Sequence, residues 1–370
     1  MKILQICSAR QLGGGEKHLA DLANALARRG HDVFAALSPS SPLLAELPAV
    51  PKENLLELRL RNSLNVASAL KLAQFAREHQ IEIIHAHVAR DYPLAAFVSR
   101  RAGARLVLTR HVLFPMSGIH RLTLRHTARV IAVSRAVADS LRQQGIFAPD
   151  KIAVVHNGID VDRFARAAEA VRKREAAGQE ESPGKRRRVG MVGHLAPIKG
   201  QEDFIHAASI VCGLRDDVEF IIAGEDKSPG GEHRQSIERL IAELDLNQRV
   251  RLVGWVDDIT ELLATFDLFV SPSRSEPFGL SIVEAMAAGT PVVASMSEGA
   301  REIIDGNLTG RLFPISDVEA LAKAVCELLS NPAQRGQLSA NAQRVVRERF
   351  SLEQMVVETE KVYEQVLGRS

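Results

Sequence analysis

Cysteine is scarce in this sequence: there are three, Cys7, Cys212 and Cys326, far apart and never in a C-x-x-C pair. This spacing disfavours both a disulfide framework and a zinc site, and predicts that the three are small buried hydrophobic residues. Long apolar runs are missing too, since none approaches the roughly 18 residues of a membrane span, and the first residues contain no apolar signal-peptide core. These absences favour a soluble, cytoplasmic protein.

Several common ligand signatures are also missing. The glycine loop at 13–15 is not G-x-G-x-x-G, and the next strand ends in Leu37-Ser38 rather than in an acid, which disfavours a nicotinamide cofactor. The stretch "VGHLAPIKG" at 192–200 lacks the Gly-Lys-Ser/Thr of a Walker loop. The acidic triplet "DVD" at 160–162 lies where we expect a structural turn, so we predict no metal. A net charge of +2 argues against a nucleic-acid partner.

What the sequence does have is an alternation of strands and helices. Apolar segments of strand length, such as "KILQIC" and "RVGMVG", alternate with helix-length amphipathic stretches in both halves of the 370 residues. This pattern predicts an α/β fold of two doubly wound, Rossmann-like parallel-sheet domains. Their predicted bounds are 1–165 and 189–349. A final helix at 350–370, opened by a Ser351-x-x-Gln354 capping box, is expected to pack back on the N-terminal domain.

We interpret residues 166–188, which are charged, rich in alanine and contain Ser182-Pro183-Gly184, as a linker or an exposed helical extension. The "KRRR" at its end could contact nucleic acid or anionic lipid, but a solvated linker end is the simpler interpretation.

The most informative stretch is "SRSEPFGLSIVEAMAAG" at 273–289. Pro277 and Gly279 make a turn before a helix, whose first N–H groups and dipole favour an anion. Glu276 and Glu284 flank that position, and carboxylates accept hydrogen bonds from sugar hydroxyls. A diphosphate between two sugars fits this arrangement, as in a nucleotide-sugar. The alternative is that Glu276 caps the helix and Glu284 is a surface residue.

Two further loops could face an anion. The glycines at 13–15 would let backbone N–H groups approach a phosphate, although a tight structural turn explains them equally well. Lys199 lies at a loop-to-helix junction where it could face a diphosphate, and a solvated surface lysine is the alternative.

Positive charge is concentrated in the first half. Between 90 and 142 there are ten arginines and two acidic residues, a surplus of eight positive charges. Arg121, Arg125 and Arg129 are spaced to share one face of a predicted helix at 120–129. They would attract an anionic membrane or a phosphorylated glycan, and solvated arginines are the alternative.

The motifs taken together resemble glycosyltransferase family 4, the retaining nucleotide-sugar transferases of the two-domain GT-B fold. "EPFGLSIVE" is similar to the family's E-x7-E signature, and further similar stretches span nearly the whole chain: "GGGE", "IIHAH", "LVLTRH", "VVHNGID", "VGHLAPIKG", "IIAGE", "VRLVGWV" and "EAMAAGTPVVAS". The resemblance implies two domains facing across a cleft, with the acceptor bound by the first domain and the donor by the second.

The resemblance also implies roles for individual residues. Those implied as catalytic are His111 at the reacting centre, Lys199 on the diphosphate and Glu276 on the donor sugar. Those implied in donor binding are Gly14, Gly15, His194, Gly224, Val256, Phe278, Gly279, Leu280 and Glu284. Within this set Glu284 would hold the ribose, Gly224 and Val256 would line the base pocket, and the glycine loop would join Lys199 at the diphosphate.

One position departs from the family pattern. His194 stands where the family usually has arginine. Phosphate binding could therefore be weaker, pH-dependent or supplied by another cation such as Arg10, and the sequence does not decide among these.

The resemblance implies a metal-independent hexosyltransferase without a cofactor. Its donor would be a nucleoside-diphosphate sugar, with UDP favoured over GDP on family frequency, and its acceptor a glycan, a lipid-linked or a small molecule in bacterial cell-envelope glycan synthesis. We expect it in the cytoplasm, with the inner face of the membrane as a site of association. The alternatives are a nucleotide-sugar epimerase or a sugar phosphorylase of the same fold, and a catalytically silent nucleotide-sugar-binding subunit.

Overall fold

The computed structural model describes residues 1–59, 66–177 and 186–369, and it alternates strands with helices. The strands are β1 Lys2–Cys7, β2 Asp32–Leu37, β3 Leu55–Glu57, β4 Ile83–Ala86, β5 Arg105–Arg110, β6 Arg129–Ala132, β7 Ile152–Val154, β8 Arg187–Val192, β9 Val218–Ala223, β10 Val250–Gly254, β11 Leu268–Ser271, β12 Val292–Ser295 and β13 Arg311–Phe313. The helices are α1 Gly14–Arg28, α2 Val66–Glu78, α3 Tyr92–Ala102, α4 His120–Thr123, α5 Arg135–Gln144, α6 Val161–Ala176, α7 Gln201–Leu214, α8 Glu232–Glu243, α9 Ile259–Ala264, α10 Leu280–Ala287, α11 Glu298–Ile303, α12 Gly306–Thr309, α13 Val318–Leu329, α14 Pro332–Arg349 and α15 Leu352–Leu367.

The chain divides into two compact units. The first unit comprises Met1–Gly158 together with Ser351–Ser370, and the second unit comprises Ile159–Phe350. The first sequence-predicted boundary, at residue 165, therefore differs from the structural one, because α6 belongs to the second unit.

The first unit is built on a seven-stranded parallel sheet in the order β3-β2-β1-β4-β5-β6-β7. Its central strands are buried, as in β4, where all four residues are inaccessible. Such strands read as continuous apolar runs because helices cover both faces of a parallel sheet. The strand order reverses between β1 and β4, and ligands of open α/β sheets bind beyond the carboxyl ends of the strands at such a switch point.

The second unit repeats this plan with six parallel strands in the order β10-β9-β8-β11-β12-β13. Its switch point lies between β8 and β11. The predicted fold class, two Rossmann-like parallel-sheet domains, is confirmed.

The segment interpreted as a linker is helical as far as Ala176. Helix α6 packs against α9 and buries Phe164, Ala168 and Val171, so this part is integrated into the second unit rather than an exposed extension. The Ser182-Pro183-Gly184 part of that interpretation lies outside the described residues. Arg187 and Arg188, the last two residues of the basic run "KRRR", begin β8 and are therefore part of the sheet, while Lys185 lies outside the described residues.

Helix α15 packs against α1 within the first unit. Its capping box is half formed, because the Ser351 hydroxyl accepts a hydrogen bond from the Gln354 N–H at 3.3 Å, while the Gln354 side chain donates to Glu358 instead. Tyr363 of α15 is fully buried and reaches the centre of the sheet, where its hydroxyl lies 2.6 Å from His85 Nδ1.

The helix predicted at 120–129 is wrong in length. Helix α4 ends at Thr123, Arg125 follows it in a turn, and Arg129 begins β6, so the three arginines do not share a helical face. The physical reason is that Arg129 starts a buried strand paired to β5, and that pairing needs an extended backbone. Across the described ranges, we find no helix that combines the length and the apolar character required to cross a bilayer.

Candidate functional site

The carboxyl ends of β8 and β11 place Lys199 against Glu276. The Lys199 Nζ lies 2.6 Å from Glu276 Oε2, and only 28% and 11% of the two side chains are exposed. Lys199 is therefore neither a solvated surface lysine nor remote from the E-x7-E segment. The sequence predicted both residues as site residues, and the structure brings them together.

Backbone geometry explains why these loops meet. Gly200 has φ +72°, and a Cβ at this position would lie 2.3 Å from the Pro272 carbonyl oxygen, so only glycine allows the loop after β8 to approach the loop after β11. The Arg274 N–H donates to the Ile198 carbonyl at 2.8 Å and ties the same two loops together. The position of the Lys199 ammonium is thus set by a close backbone approach.

Helix α10 begins directly beside this pair. Its N-cap is Gly279 with φ +110°, which has no side chain to cap the helix, and the Glu276 carboxylate pairs with Lys199. Gly299 stabilises this turn, because its N–H donates to the Glu276 carbonyl at 2.8 Å. A Cβ on Gly299 would lie 1.9 Å from the Phe278 carbonyl oxygen, so this close approach requires glycine. The helix N-terminus, with Leu280 as its first residue, therefore presents backbone dipoles beside a fixed cation and carboxylate.

Glu284 is buried within α10, with 5% of its surface exposed. The alternative that it is an ordinary surface residue is therefore wrong. An ionisable side chain is seldom buried without partners, so this burial calls for polar neighbours rather than bulk water.

The remaining predicted donor residues of the second unit lie at the ends of β8, β9 and β10. Gly224 follows β9 with φ +150°, and a Cβ there would lie 1.8 Å from the Gly193 carbonyl oxygen, so glycine is required by the approach of two strand ends. Val256 follows β10 and is half-buried.

His194 follows β8, and its ring stacks on that of Trp255 at 6.4 Å between centroids. Burial, followed by the positive charges of Lys227 and Lys199, lowers the pKa of His194 below its ordinary value. A neutral imidazole at pH 7 does not replace the positive charge of arginine. Trp255 itself is half exposed and was not singled out from the sequence.

In the first unit, His111 follows β5 and lies against the start of α1. A Cβ on Gly15 would be 3.5 Å from the His111 ring, which is ordinary van der Waals contact, and Gly14 is the first residue of the helix. Burial lowers the pKa of His111 well below its usual value, and the neighbouring His18, His85 and Arg110 lower it further. His111 is therefore neutral near pH 7 and has a lone pair available for accepting a hydrogen bond.

Sequence reasoning missed the histidines that surround His111. The His18 ring contacts those of His111 and His87 at 4.8 and 5.6 Å, and His87 contacts His85 at 4.1 Å. The signal was present in "GGGEKH" and "HAH", because the carboxyl ends of adjacent parallel strands lie along one edge of a sheet.

Comparison with known families matches both halves of the chain. Residues 12–163 match the model described as Glycosyltransferase Family 4, and residues 172–345 match the model described as Glycosyl transferases group 1.

Alignments with individual relatives cover between three quarters and all of the chain. The chain is 30% identical to the phosphatidyl-myo-inositol mannosyltransferase of Mycolicibacterium smegmatis, an alignment that covers 100% of this chain and 95% of the relative. It is also 30% identical to a lipopolysaccharide core biosynthesis mannosyltransferase of Rhizobium leguminosarum, over 76% of this chain and 78% of the relative. Among solved structures, Anabaena Alr3699/HepE in complex with UDP-glucose is similar, with a TM-score of 0.83, 26% identity and 100% coverage of both chains.

Proposed function

We propose that this chain, which belongs to glycosyltransferase family 4 and has the GT-B fold, transfers a hexose from a nucleoside-diphosphate sugar to an acceptor hydroxyl. We further propose that the transfer retains the anomeric configuration and requires neither a divalent metal nor a cofactor. The acceptor we propose is a glycan or a lipid-linked molecule of a bacterial envelope, by analogy with the two mannosyltransferases. The UDP-glucose complex of the Anabaena protein favours a UDP-sugar donor, and the mannosyltransferase relatives leave a GDP-sugar as the alternative.

The observation that carries this proposal is the Lys199 and Glu276 pair at the N-terminus of α10. One cation and one helix N-terminus suit a diphosphate, and one carboxylate beside them suits sugar hydroxyls. In the proposed complex the donor diphosphate takes over Lys199, which frees the Glu276 carboxylate to accept hydrogen bonds from the hexose. Glu284, one turn further along α10, accepts from the ribose.

The proposed reaction breaks the bond between the sugar C1 and the diphosphate oxygen, and the electron pair leaves with the nucleoside diphosphate. The acceptor hydroxyl oxygen forms the new bond to C1 on the same face, and its proton passes to the departing phosphate oxygen. Lys199 and the first N–H groups of α10 stabilise the negative charge that develops there, and fixed groups of this kind usually make the largest contribution to catalysis.

His111 has a separate proposed role at the reacting centre. Because its imidazole is neutral near pH 7, it can accept hydrogen bonds from sugar hydroxyls and does not place a second positive charge beside a developing oxocarbenium ion. The glycines at the start of α1 are proposed to approach a donor phosphate through their backbone N–H groups.

A membrane contact is proposed for the segment between β5 and β6. Its exposed apolar side chains Phe114, Ile119 and Leu122 are each about two-thirds accessible, and exposed Arg121 and Arg125 lie beside them in the sequence. Apolar side chains flanked by arginines match the surface of an anionic bilayer. Sedimentation with liposomes should recover the protein with anionic but not with neutral vesicles, and equal recovery in both supernatants would contradict this contact.

The donor proposal is tested by thermal stabilisation against nucleoside diphosphates and their sugars, because a ligand that binds the native state raises its melting temperature. We expect one nucleotide-sugar to raise the melting temperature, with the shift lost in Lys199→Ala and kept in the control Lys323→Ala, whose ammonium is exposed on α13. If no nucleotide-sugar stabilises the protein, or if Lys199→Ala responds like the wild type, the proposed donor site is wrong.

A further inference from the structure

We propose that His18, His87 and His111 form a binding site for one divalent transition-metal cation of the Zn²⁺ class. One candidate ligand atom on each ring lies within 4.8 Å of those on the other two. All three residues belong to the first unit.

The hydrogen bonding of the cluster separates these three histidines from their neighbour. His85 has both ring nitrogens engaged, at 2.6 Å with Tyr363 and 2.7 Å with Thr109. In contrast, His87 Nδ1 and His111 Nε2 are buried and have no hydrogen-bond partner among the described residues, and at the buried His18 ring the Asn157 side chain engages at most one of the two nitrogens. Buried polar atoms without partners are rare in folded proteins, and a bound ion is one of the arrangements that accounts for them.

The orientation of His87 suits coordination. Its Nε2 lies 2.7 Å from the Gln5 side-chain oxygen, which accepts only, so Nε2 carries the proton and Nδ1 keeps its lone pair. Second-sphere hydrogen bonds of this kind fix the tautomer and the ring orientation of metal-bound histidines.

The ring spacing also matches a tetrahedral ion. With a Zn–N bond of about 2 Å and roughly 1 Å from nitrogen to ring centre, three histidines on one ion have centroids about 5 Å apart. The observed centroid separations are 4.8, 5.6 and 6.0 Å. Small rotations of the side chains would therefore bring one nitrogen of each ring within bonding distance of a single ion.

The charge state favours a cation as well. Burial lowers the pKa of His18 to about 4 and lowers the pKa of His87 and His111 well below the usual value, so all three are neutral ligands at pH 7. The neighbouring cation is Arg110, whose guanidinium donates a hydrogen bond to the Phe114 carbonyl. The partial exposure of His111 leaves a route for an ion to enter.

The spacing of the cysteines disfavours a zinc site built on thiolates. The site proposed here uses imidazole ligands alone. Binding of the ion is not a step of the transfer reaction, although His111 belongs to both sites. A further consequence does depend on the proposed function: an ion on His111 occupies the imidazole assigned to the reacting centre, so Zn²⁺ should inhibit transfer reversibly.

The test uses protein without a histidine tag and titrates Zn²⁺ against a chromogenic chelator. We expect one equivalent of Zn²⁺ per chain, with binding weakened at least about tenfold in His18→Gln and in His87→Gln. The matched control is His206→Gln, an exposed histidine on α7 of the second unit, which should bind like the wild type. Unchanged binding in both His18→Gln and His87→Gln would overturn the site.

The absorption spectrum of the wild-type protein loaded with Co²⁺ distinguishes this site from metal binding at a cysteine. Co²⁺ on three imidazoles gives intense visible bands of tetrahedral geometry without the near-ultraviolet charge-transfer band of a thiolate. A thiolate band, or no visible bands, would overturn the proposal even if the variants fail to fold. If Zn²⁺ binds as expected but the transfer rate is the same with and without Zn²⁺, the metal site is supported and the proposed role of His111 is wrong.

Discussion

The two units share a topology and differ in what they place at its switch point. Between β8 and β11 the second unit holds a charged pair, Lys199 and Glu276, beside a helix N-terminus. Between β1 and β4 the first unit holds neutral imidazoles in ring contact, among them His18 and His87. The same strand order therefore supports two kinds of site. One contains an ion pair, and the other contains imidazoles that burial keeps neutral.

The difference follows from how each edge is built. In the second unit, glycines such as Gly200 let loops approach closely, so a cation and a carboxylate meet while they remain partly hydrated. In the first unit, His18 on α1 and His85 on β4 are buried, and removal from water disfavours their protonated forms. The chemistry of each unit is thus set by the residues at its switch point and not by the shared fold.

The largest expected effect comes from breaking the charged pair. Glu276→Gln keeps the side-chain shape and removes the charge, and Lys199→Ala removes the cation, so each should lower kcat/KM about 10²- to 10³-fold, or about 3 to 4 kcal/mol. The double variant should lose much less than the sum of these, because both residues act on the same bound donor. Steady-state transfer with a saturating acceptor measures the cycle.

A control for this cycle is Arg174→Ala, which breaks the exposed pair between Arg174 and Glu261 in the same unit. Surface pairs of this kind contribute at most about 1 kcal/mol to stability, and kcat/KM should stay within about twofold of the wild type. Wild-type turnover by both Glu276→Gln and Lys199→Ala would move the active site elsewhere.

The next largest effect is a loss of stability at low pH, caused by protonation of the buried histidines of the first unit. Burial lowers the pKa of His18 to about 4 and that of His85 to about 3. As the pH falls below 6.5, these histidines therefore bind protons in the unfolded chain before they do so in the folded one. The stability of the first unit should be complete above pH 6.5 and fall below it, by about 2 kcal/mol per histidine at pH 5. Urea unfolding at pH 7 and pH 5 measures this loss.

The aromatic residues allow each unit to be followed separately. Trp255, the single tryptophan, reports on the second unit, while Tyr92 and Tyr363, the two tyrosines, are buried in the first and can be followed in Trp255→Phe. His18→Gln should remove about 2 kcal/mol of the acid sensitivity of the tyrosine transition. Equal acid sensitivity in His18→Gln and the wild type would show that His18 is not buried in its neutral form.

The sequence predicted the central strands of both sheets and the individual residues of the charged pair. It missed β3 and β13, which are three-residue strands at sheet edges. The first boundary was placed at residue 165 because the alanine-rich, charged composition of α6 resembles a linker, and the apolar face that buries Phe164 and Val171 is narrow.

The geometry of the site was harder to predict than its composition. The contact between Lys199 and Glu276 depends on a positive φ at Gly200, which a list of residue types does not reveal. The histidine cluster joins positions 18, 87 and 111 through the order of strands in the sheet, so it becomes visible only once that order is known.

The smallest expected effect separates stability from activity at the start of α1. Gly15 has no positive φ, and an added Cβ meets the His111 ring at an ordinary 3.5 Å, so Gly15→Ala should stabilise the first unit by about 0.5 to 1 kcal/mol. The helical Gly336→Ala in α14, where a Cβ meets no atom of the described residues within 4 Å, should stabilise the second unit by a similar amount.

Transfer activity then distinguishes the two alanine variants. If the backbone at Gly15 approaches a donor phosphate as proposed, the added methyl group should lower kcat/KM about tenfold, while Gly336→Ala should leave it unchanged. Urea unfolding and steady-state kinetics on the same preparations give both quantities. Full activity in a stabilised Gly15→Ala would mean that the glycines at 14 and 15 serve only the turn into α1, so that the charged edge of the second unit holds the diphosphate alone.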